Sequence, residues 1–112
     1  MYQTDIPTVP LTQVGPKAGA TAGEPVESLL EISDDGRIKT GIWECTPGSF
    51  PSARDGYSEF MYFLAGDATI TDADGTEHPI AAGTAIMLND GWRGAWQIRE
   101  TVRKVYVIVT NA

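Results

Sequence analysis

Residues 48–66 read GSFPSARDGYSEFMYFLAG, and this stretch predicts the fold of the chain. Its second half begins with the carboxylate of Glu59 and continues with large apolar side chains at residues 60–64. Successive residues of a β-strand point to opposite faces of the sheet, so Glu59, Met61 and Phe63 would share one face. The stretch therefore predicts a strand that carries one carboxylate on a face otherwise made of apolar side chains.

Short apolar runs separated by turn signals continue along the rest of the chain. Turn-forming residues occur at 34–36 (DDG) and 72–75 (DADG), where aspartate and glycine tolerate positive φ. No window shows a sustained helical period. These features predict eight strands and no helix, as in a β-sandwich or a small β-barrel. The predicted strands are 26–32, 38–45, 59–64, 68–71, 77–80, 84–88, 94–98 and 102–109.

The composition limits the class of protein. With 112 residues and 42% hydrophobic content, the chain suits one compact domain. Its net charge of -7, from 15 acidic and 8 basic residues, predicts no binding to nucleic acid or anionic membranes. Cys45 is the only cysteine, which excludes an internal disulfide and indicates a reducing compartment. Without a leader pattern or a long apolar run, we expect a cytoplasmic protein with no membrane partner.

The first part of the chain is predicted to be an extended arm over residues 1–26, ahead of a β-barrel domain over residues 27–112. Residues 4–24 are rich in proline and include the small-residue run AGATAG at 18–23. Such a composition is typical of irregular, extended chain. The arm could lie along the barrel, cross to a second subunit or fray.

The predicted last strand, residues 102–109, is mostly apolar on both faces. One face carries Val102, Lys104, Tyr106 and Ile108, and the other carries Arg103, Val105, Val107 and Val109. A strand covered on both faces suits a barrel wall whose outer face packs on another sheet or another subunit. A sandwich strand with one merely apolar-rich face is the alternative. Together with the arm, the two-faced strand predicts a homodimer.

Two segments resemble the paired sequence motifs of the cupin superfamily. Residues 48–66 resemble its first motif, G-x5-H-x-H-x3-4-E-x6-G, and residues 83–94 (GTAIMLNDGWRG) resemble the second, G-x5-P-x-G-x2-H. The chain looks like the small single-domain cupins of largely unassigned function, related to the cupin part of ureidoglycine aminohydrolase and to the ethanolamine-utilisation cupin. Three flanking segments add to this likeness, at 42–48, 91–96 and 102–106. The resemblance implies a small antiparallel β-barrel of the cupin or RmlC-like jelly-roll type.

The metal ligands of both motifs are absent from this chain. The positions that the motifs assign to histidine hold Arg54 and Gly56, or Ala53 and Asp55 when counted back from the glutamate, and Gly94. Only Glu59 remains of the ligand set, whereas a transition metal needs three or four converging donors. His78, the only histidine, falls beside a hairpin turn, where we expect it to be exposed. We therefore predict no metal ion and no other cofactor.

The resemblance places Glu59 inside the barrel, and strand alternation then places Met61 beside it. The predicted ligand-binding residues are Arg54, Tyr57, Glu59, Met61, Arg93, Trp96, Lys104 and Tyr106. An aromatic-lined cavity with a few fixed polar groups is typical of small-molecule sites. The alternative is that the tryptophans are ordinary core aromatics and that Glu59 is simply neutralised by Lys104 or Arg54.

Several functions remain open at this point. The first is the binding of a small polar metabolite, carboxylate- or amide-bearing, in the barrel. The second is an enzyme of the ureidoglycine type that acts on a small nitrogenous metabolite, with Glu59 as general base or as a lone metal carboxylate. Glu44 and Glu59 could also form an acid–base pair. A dimeric structural or regulatory subunit is the third. Binding is favoured because the donors of the enzyme's metal site are missing.

Overall fold

The computed structural model describes residues 1–111, and the regular elements in that range are all β-strands. The strands are β1 (Thr12–Pro16), β2 (Ala22–Gly23), β3 (Val26–Asp34), β4 (Ile38–Cys45), β5 (Gly48–Ala53), β6 (Tyr57–Asp72), β7 (Glu77–Ala81), β8 (Ala85–Leu88) and β9 (Arg93–Thr110). The prediction of an all-β chain is confirmed. A membrane-spanning helix is not found among residues 1–111.

The strands form two antiparallel layers that share the long strands β6 and β9. The C-terminal half of β9 pairs with β4 and with the first half of β6, placing Lys104 opposite Trp43. The N-terminal half of β9 pairs with β5 and with the second half of β6. β3 and β1 extend the first layer beyond β4, and β8 and β7 pair with the two halves of β6. This is a jelly roll, which confirms the predicted fold class, although the strands do not close into one continuous barrel.

β6 and β9 pass from one layer to the other where Gly66 meets Val102. Gly66 has a φ of 113°, and a Cβ added to it would lie 2.6 Å from Val102 Cα. Only glycine allows both this backbone conformation and this close approach. The register of β6 against β9 shifts between Phe63 and Ala68, as expected at bulges that bend a sheet. Each bend lies within one continuous strand. The predicted strands 59–64 and 68–71 are therefore both parts of β6, and the predicted strands 94–98 and 102–109 are both parts of β9.

β1, β2 and β5 were not among the predicted strands. β5 contains Pro51, which cannot donate to a β-ladder, yet the strand pairs with β9 along its length. Its other side is open at Pro51, because β2 covers only Gly48 and Ser49. β1 and β2 belong to the segment predicted as an extended arm, and they lie along β3 and β5. The division of the chain at residue 26 stays a prediction.

Apolar side chains fill the space between the layers. Met61 and Phe63 are fully buried, whereas Phe60 and Tyr62 are 42% and 43% exposed. This confirms the alternation predicted for this strand. Trp96 of β9 packs against the other side of the core, with its ring centroid 6.0 Å from that of Phe63. Strand β6 therefore presents its inner face, Glu59 included, to the interior.

Candidate functional site

An open cavity of about 280 Å³ lies between the layers, beside the first residues of β6. Its aromatic lining consists of Trp43, Phe50, Tyr57, Trp96 and Tyr106. Its charged lining consists of Lys17, Glu27, Lys39, Arg54, Glu59 and Lys104. Aromatic walls with a few fixed polar groups are the usual composition of a small-molecule site.

Glu59 is held between two buried cations at this cavity. Lys104 Nζ donates a hydrogen bond to Glu59 Oε2 at 2.7 Å, and Arg54 Nε lies 3.0 Å from Oε1. Within residues 1–111 the Nε–H of Arg54 has no hydrogen-bond acceptor, so its contact with the carboxylate is an ion pair. Burial by itself raises the pKa of Glu59, but the two cations outweigh it and hold the pKa below its ordinary value. Glu59 is therefore ionised at neutral pH and can accept a proton, although its lowered pKa makes it a weak base.

The Lys104 ammonium lies in an aromatic cage. Its Nζ is 4.5 Å from the ring centroid of Trp43, 5.0 Å from that of Trp96, and 3.1 Å from Met61 Sδ. Burial lowers the pKa of Lys104, and the attraction of Glu59 offsets only part of that effect. The main physical reason is that the buried ammonium loses its hydration, and the nearby cations Arg54 and Lys17 lower its pKa further.

Arg54 is fixed in place and still has a donor to offer. Its Nη1 donates to Ser52 Oγ at 2.7 Å and to the Ala53 carbonyl at 3.0 Å. The guanidinium carbon lies 5.8 Å from the ring centroid of Tyr57 and 5.7 Å from that of Trp92. No hydrogen bond within residues 1–111 uses Nη2 of Arg54. A ligand oxygen could therefore bind this nitrogen without displacing a protein partner.

Charged residues that the sequence did not single out complete the cavity. Lys17, from the segment after β1, lies 3.4 Å from Glu27 of β3, and Glu27 accepts a hydrogen bond from Trp43 Nε1 at 2.9 Å. Among the described residues, Lys39 of β4 has one ion-pair partner, Asp34, at 3.9 Å. Alternation along β4 puts Lys39 and Trp43 on one face, but only strand pairing shows that this face borders the cavity.

Most of the predicted ligand-binding residues gather around Glu59. Those brought together are Arg54, Tyr57, Glu59, Met61, Trp96, Lys104 and Tyr106. Met61 is fully buried against Lys104 and does not itself form the wall. The placement of Arg93 in the site was wrong, since its side chain is 64% exposed and pairs with Asp55 at 3.0 Å. Trp96 points inward on β9, so alternation turns Arg93, three residues before it, outward.

The hypothesised acid–base pair of Glu44 and Glu59 is not formed. On β4, Trp43 faces the cavity, so its neighbour Glu44 faces the opposite side of the sheet. There Glu44 accepts a hydrogen bond from Arg103 Nε at 2.8 Å. Arg103 also donates to the carbonyls of Ile6 and Val9, both at 3.0 Å, and so fixes the start of the chain. Glu44 therefore has a structural partner rather than a catalytic one.

The donors around Glu59 do not fit a transition metal. Among residues 1–111 there is no group of three histidine, cysteine, aspartate or glutamate residues that could hold one. The Glu59 carboxylate already balances two cations, which would repel a metal ion. A side chain at Gly94 would overlap the Thr71 carbonyl oxygen and the Trp92 ring, so this position has no room for a histidine ligand.

Cys45 and His78 lie outside the cavity. Cys45 is fully buried, and burial raises the pKa of its thiol to about 11, which makes it unreactive at neutral pH. His78 lies on β7 beside the turn, within the predicted strand 77–80, and its side chain is 38% exposed with Nε2 2.9 Å from Asp72 Oδ2. Asp72 also accepts a hydrogen bond from Trp92 Nε1 at 2.8 Å, so this cluster joins β6, β7 and the loop before β9.

Comparison with known proteins places the chain among cupins. A family model described as the EutQ-like cupin domain matches residues 32–106. A protein of unknown function in the DUF861 family from Pseudomonas syringae has a structure with a TM-score of 0.82 and 20% identity, over 92% of this chain and 46% of its own. The Clostridium difficile EutQ protein has a TM-score of 0.68 and 20% identity, over 78% of this chain and 64% of its own.

A more similar sequence covers less of the chain. A DUF861 family protein from Thermotoga maritima is 34% identical, with a TM-score of 0.55, over 58% of this chain and 73% of its own. No curated protein matches the chain in sequence. The chain spans about half of the Pseudomonas protein, 46% of its length, so the likeness covers one part of a larger protein. At 20% identity it shows the fold alone.

Proposed function

The chain belongs to the EutQ-like cupin domain family, and from that premise we propose that its cavity binds a small carboxylate-bearing metabolite without a metal ion. The proposal rests on one observation: positively charged side chains are concentrated at this cavity, although the chain as a whole is acidic. All three lysines of the chain and Arg54 line it, against two carboxylates, Glu27 and Glu59. The lining therefore has a formal charge of +2, while the whole chain has -7. Such a local field attracts small anions.

The two carboxylates of the lining are already paired, so they leave some of the cations available to a ligand. Glu59 is bound by Lys104 and Arg54, and Glu27 lies near Lys17. This leaves Lys39 and the unused Nη2 of Arg54 as donors toward the cavity. Guanidinium groups bind carboxylates with directed hydrogen bonds, and lysines add charge.

The size and the walls of the cavity indicate how large the ligand is and what groups it carries besides the carboxylate. A volume of about 280 Å³ is at the lower end for ligand pockets, so the ligand is a small metabolite. The rings of Trp43, Phe50 and Trp96 offer apolar contact, which suits a short hydrocarbon part. The buried Nε1–H of Trp96 has no acceptor within the described residues, so a ligand oxygen that reached it would satisfy it.

We expect short carboxylates to stabilise the protein against heat, and their uncharged amides to do so much less. A ligand present at 100 times its Kd adds about 2.7 kcal/mol to the free energy of unfolding. Replacing the half-exposed Lys39 by glutamine should weaken binding about two- to fivefold, the effect of one solvent-screened charge. Thermal-shift titrations with a panel of mono- and dicarboxylates and their matched amides measure both the stabilisation and the effect of Lys39→Gln.

Arg93→Gln is the matched control for Lys39→Gln. It removes one exposed cation that is paired outside the cavity, at the same change in net charge. We expect Arg93→Gln to bind carboxylates as the unmodified protein does. Equal weakening by both variants would mean that net charge, rather than the cavity, attracts the anion, and the proposal would then be abandoned.

We further propose that the protein acts without a stoichiometric transition metal. The alternative is an enzyme like ureidoglycine aminohydrolase, acting on a small nitrogenous metabolite, and the resemblance implies a metal ligand set that this cavity does not have. Elemental analysis of protein purified without chelator separates the two. About one equivalent of zinc, nickel or manganese that is lost in Glu59→Gln would support the metalloenzyme instead.

We propose a homodimer formed through the outer face of the layer that contains β8 and the start of β6. Phe60, Tyr62 and Met87 are 42%, 43% and 50% exposed there, and Phe60 lies opposite Met87 across the ladder. Such an apolar face would be covered when it meets its own copy. Light scattering should give twice the chain mass for the unmodified protein and a monomer for Phe60→Lys. Val14→Lys, a change at another exposed apolar residue, should stay dimeric, and a monomeric unmodified protein would exclude this interface.

We also propose a cytoplasmic location. Cys45, the only cysteine, is buried as a free thiol and needs no oxidising compartment. Separating cytoplasmic from membrane and exported fractions of the native cell would test this proposal.

A further inference from the structure

Lys104 differs chemically from the other two lysines of the cavity. Its side chain is 6% exposed, against 29% for Lys17 and 45% for Lys39, and its amine ends on Glu59. We propose that Lys104 is a carbonyl-reactive amine, which forms an imine with a small 2-oxo acid held in the cavity. The inference rests on the proposed function, because the carboxylate of the acid must bind before its carbonyl can react.

A proton acceptor for the amine is already in place. An amine attacks a carbonyl only in its neutral form, so the ammonium of Lys104 must first lose a proton. Glu59 Oε2, at 2.7 Å from Nζ, is ionised and is positioned to accept it. Burial disfavours the charged ammonium and so favours loss of its proton, in agreement with the lowered pKa of Lys104.

The surroundings of the amine suit imine formation more than hydrolysis. The rings of Trp43 and Trp96 lie 4.5 and 5.0 Å from Nζ, and Met61 Sδ lies at 3.1 Å. These groups exclude water from the amine, and a dry site protects an imine once it has formed. Lys17 and Lys39 have no comparable cover, since each is more than a quarter exposed.

The position of Arg54 next to Lys104 favours a ligand whose carboxylate is adjacent to its carbonyl group. Arg54 Nε and Lys104 Nζ contact the two oxygens of the same Glu59 carboxylate, so the guanidinium and the amine are close neighbours. A 2-oxo acid has its carboxylate bonded directly to the carbonyl carbon. With the carboxylate at Arg54 Nη2, the carbonyl would lie on the Lys104 side, which is the orientation that attack requires.

The step needs no oxidant or reductant. Glu59 takes one proton from the ammonium, and the nitrogen lone pair then forms a bond to the carbonyl carbon while the C=O π electrons move to oxygen. The nitrogen loses a second proton and the oxygen gains one, which gives a carbinolamine. Glu59 returns its proton to the hydroxyl, water leaves, and a C=N double bond remains. One water is released for each imine formed.

Borohydride trapping tests the inference on the intact protein. Pyruvate is the probe, and lactate, which has the same carboxylate without the carbonyl, is its control. Sodium borohydride reduces any imine to a stable amine, so intact mass should rise by one pyruvic acid less one oxygen atom. Peptide mapping should find the label on Lys104 in clear excess over Lys17 and Lys39, because those two amines lack the dry cover of Trp43 and Trp96. Excess lactate should suppress the labelling.

The outcomes separate this inference from the proposed function. Labelling spread over Lys17 and Lys39, or none at Lys104, overturns the imine while carboxylate stabilisation in the thermal-shift assay still stands. Absence of both labelling and stabilisation overturns both. Lys104→Met should abolish labelling, with Arg93→Gln, a change at an exposed cation paired outside the cavity, as the control that keeps it. Mapping on the unmodified protein gives the answer even if Lys104→Met fails to fold.

Discussion

Replacing Glu59 by glutamine is expected to lower the free energy of unfolding by about 3 to 5 kcal/mol, the usual loss when one partner of a buried ion pair is removed. The amide keeps the size of the carboxylate but leaves Lys104 and Arg54 as buried cations without an anion. All three side chains are at most 7% exposed, so water cannot screen the repulsion between the two cations. Urea unfolding with linear extrapolation measures the difference.

Glu44→Gln is the matched control for Glu59→Gln. Glu44 pairs with one cation, Arg103, and its side chain is 32% exposed, so its loss should cost about 1 kcal/mol or less. A loss below about 1 kcal/mol for Glu59→Gln as well would mean that the buried ion pairs do not stabilise this fold.

The stabilisation by Glu59 should depend on pH with a definite sign. Its pKa in the folded chain is below the ordinary value of 4.5, because Lys104 and Arg54 outweigh the effect of burial. The unfolded chain therefore binds a proton more readily, and the contribution of Glu59 is complete well above pH 4.5. It is lost as the pH falls through the folded pKa. The difference between the unmodified protein and Glu59→Gln should shrink in that acidic range.

Gly66→Ala is expected to destabilise the fold by about 3 kcal/mol, from overpacking and backbone strain together. The added Cβ would lie 2.6 Å from both Cα and Cγ1 of Val102 and 2.7 Å from the Thr101 carbonyl oxygen. Two of these three atoms belong to the backbone of β9 at its bend, so a rotamer change cannot relieve the overlap. The same urea titration gives the magnitude.

Gly75→Ala separates strain from overlap. Gly75 also has a positive φ, 92°, but nothing lies within 4 Å of an added Cβ. It should therefore cost about 1 kcal/mol, the effect of the backbone conformation alone. Equal losses at the two glycines would show that the close approach of β6 to β9 contributes nothing, contrary to the account given for Gly66.

Sequence reasoning found which side chains of β6 share a face because alternation is a local property of a strand, and the resemblance to the cupin motif supplied the inward direction. Glu59, Met61 and Phe63 are buried as the pattern requires. Sequence reasoning misplaced Arg93 in the cavity, because the position of a charged residue near a motif does not show which way its side chain points. Alternation back from Trp96 could have corrected that error. Lys17 could not have been found in this way, because it belongs to an irregular segment whose path depends on the rest of the fold.

The sequence by itself determined the all-β fold, the shared face of Glu59, Met61 and Phe63 and the absence of histidines at the motif positions, because each is encoded by neighbouring residues. The resemblance to the cupin motifs supplied the inward direction of that face. Only the tertiary structure decided what replaces the missing ligands. Lys104 is 45 residues from Glu59 along the chain and meets it through the pairing of β6 with β9. Arg54 turns inward in the loop before β6, whereas Asp55 turns outward to Arg93. Contacts between distant residues depend on strand register and loop path, which local patterns do not specify.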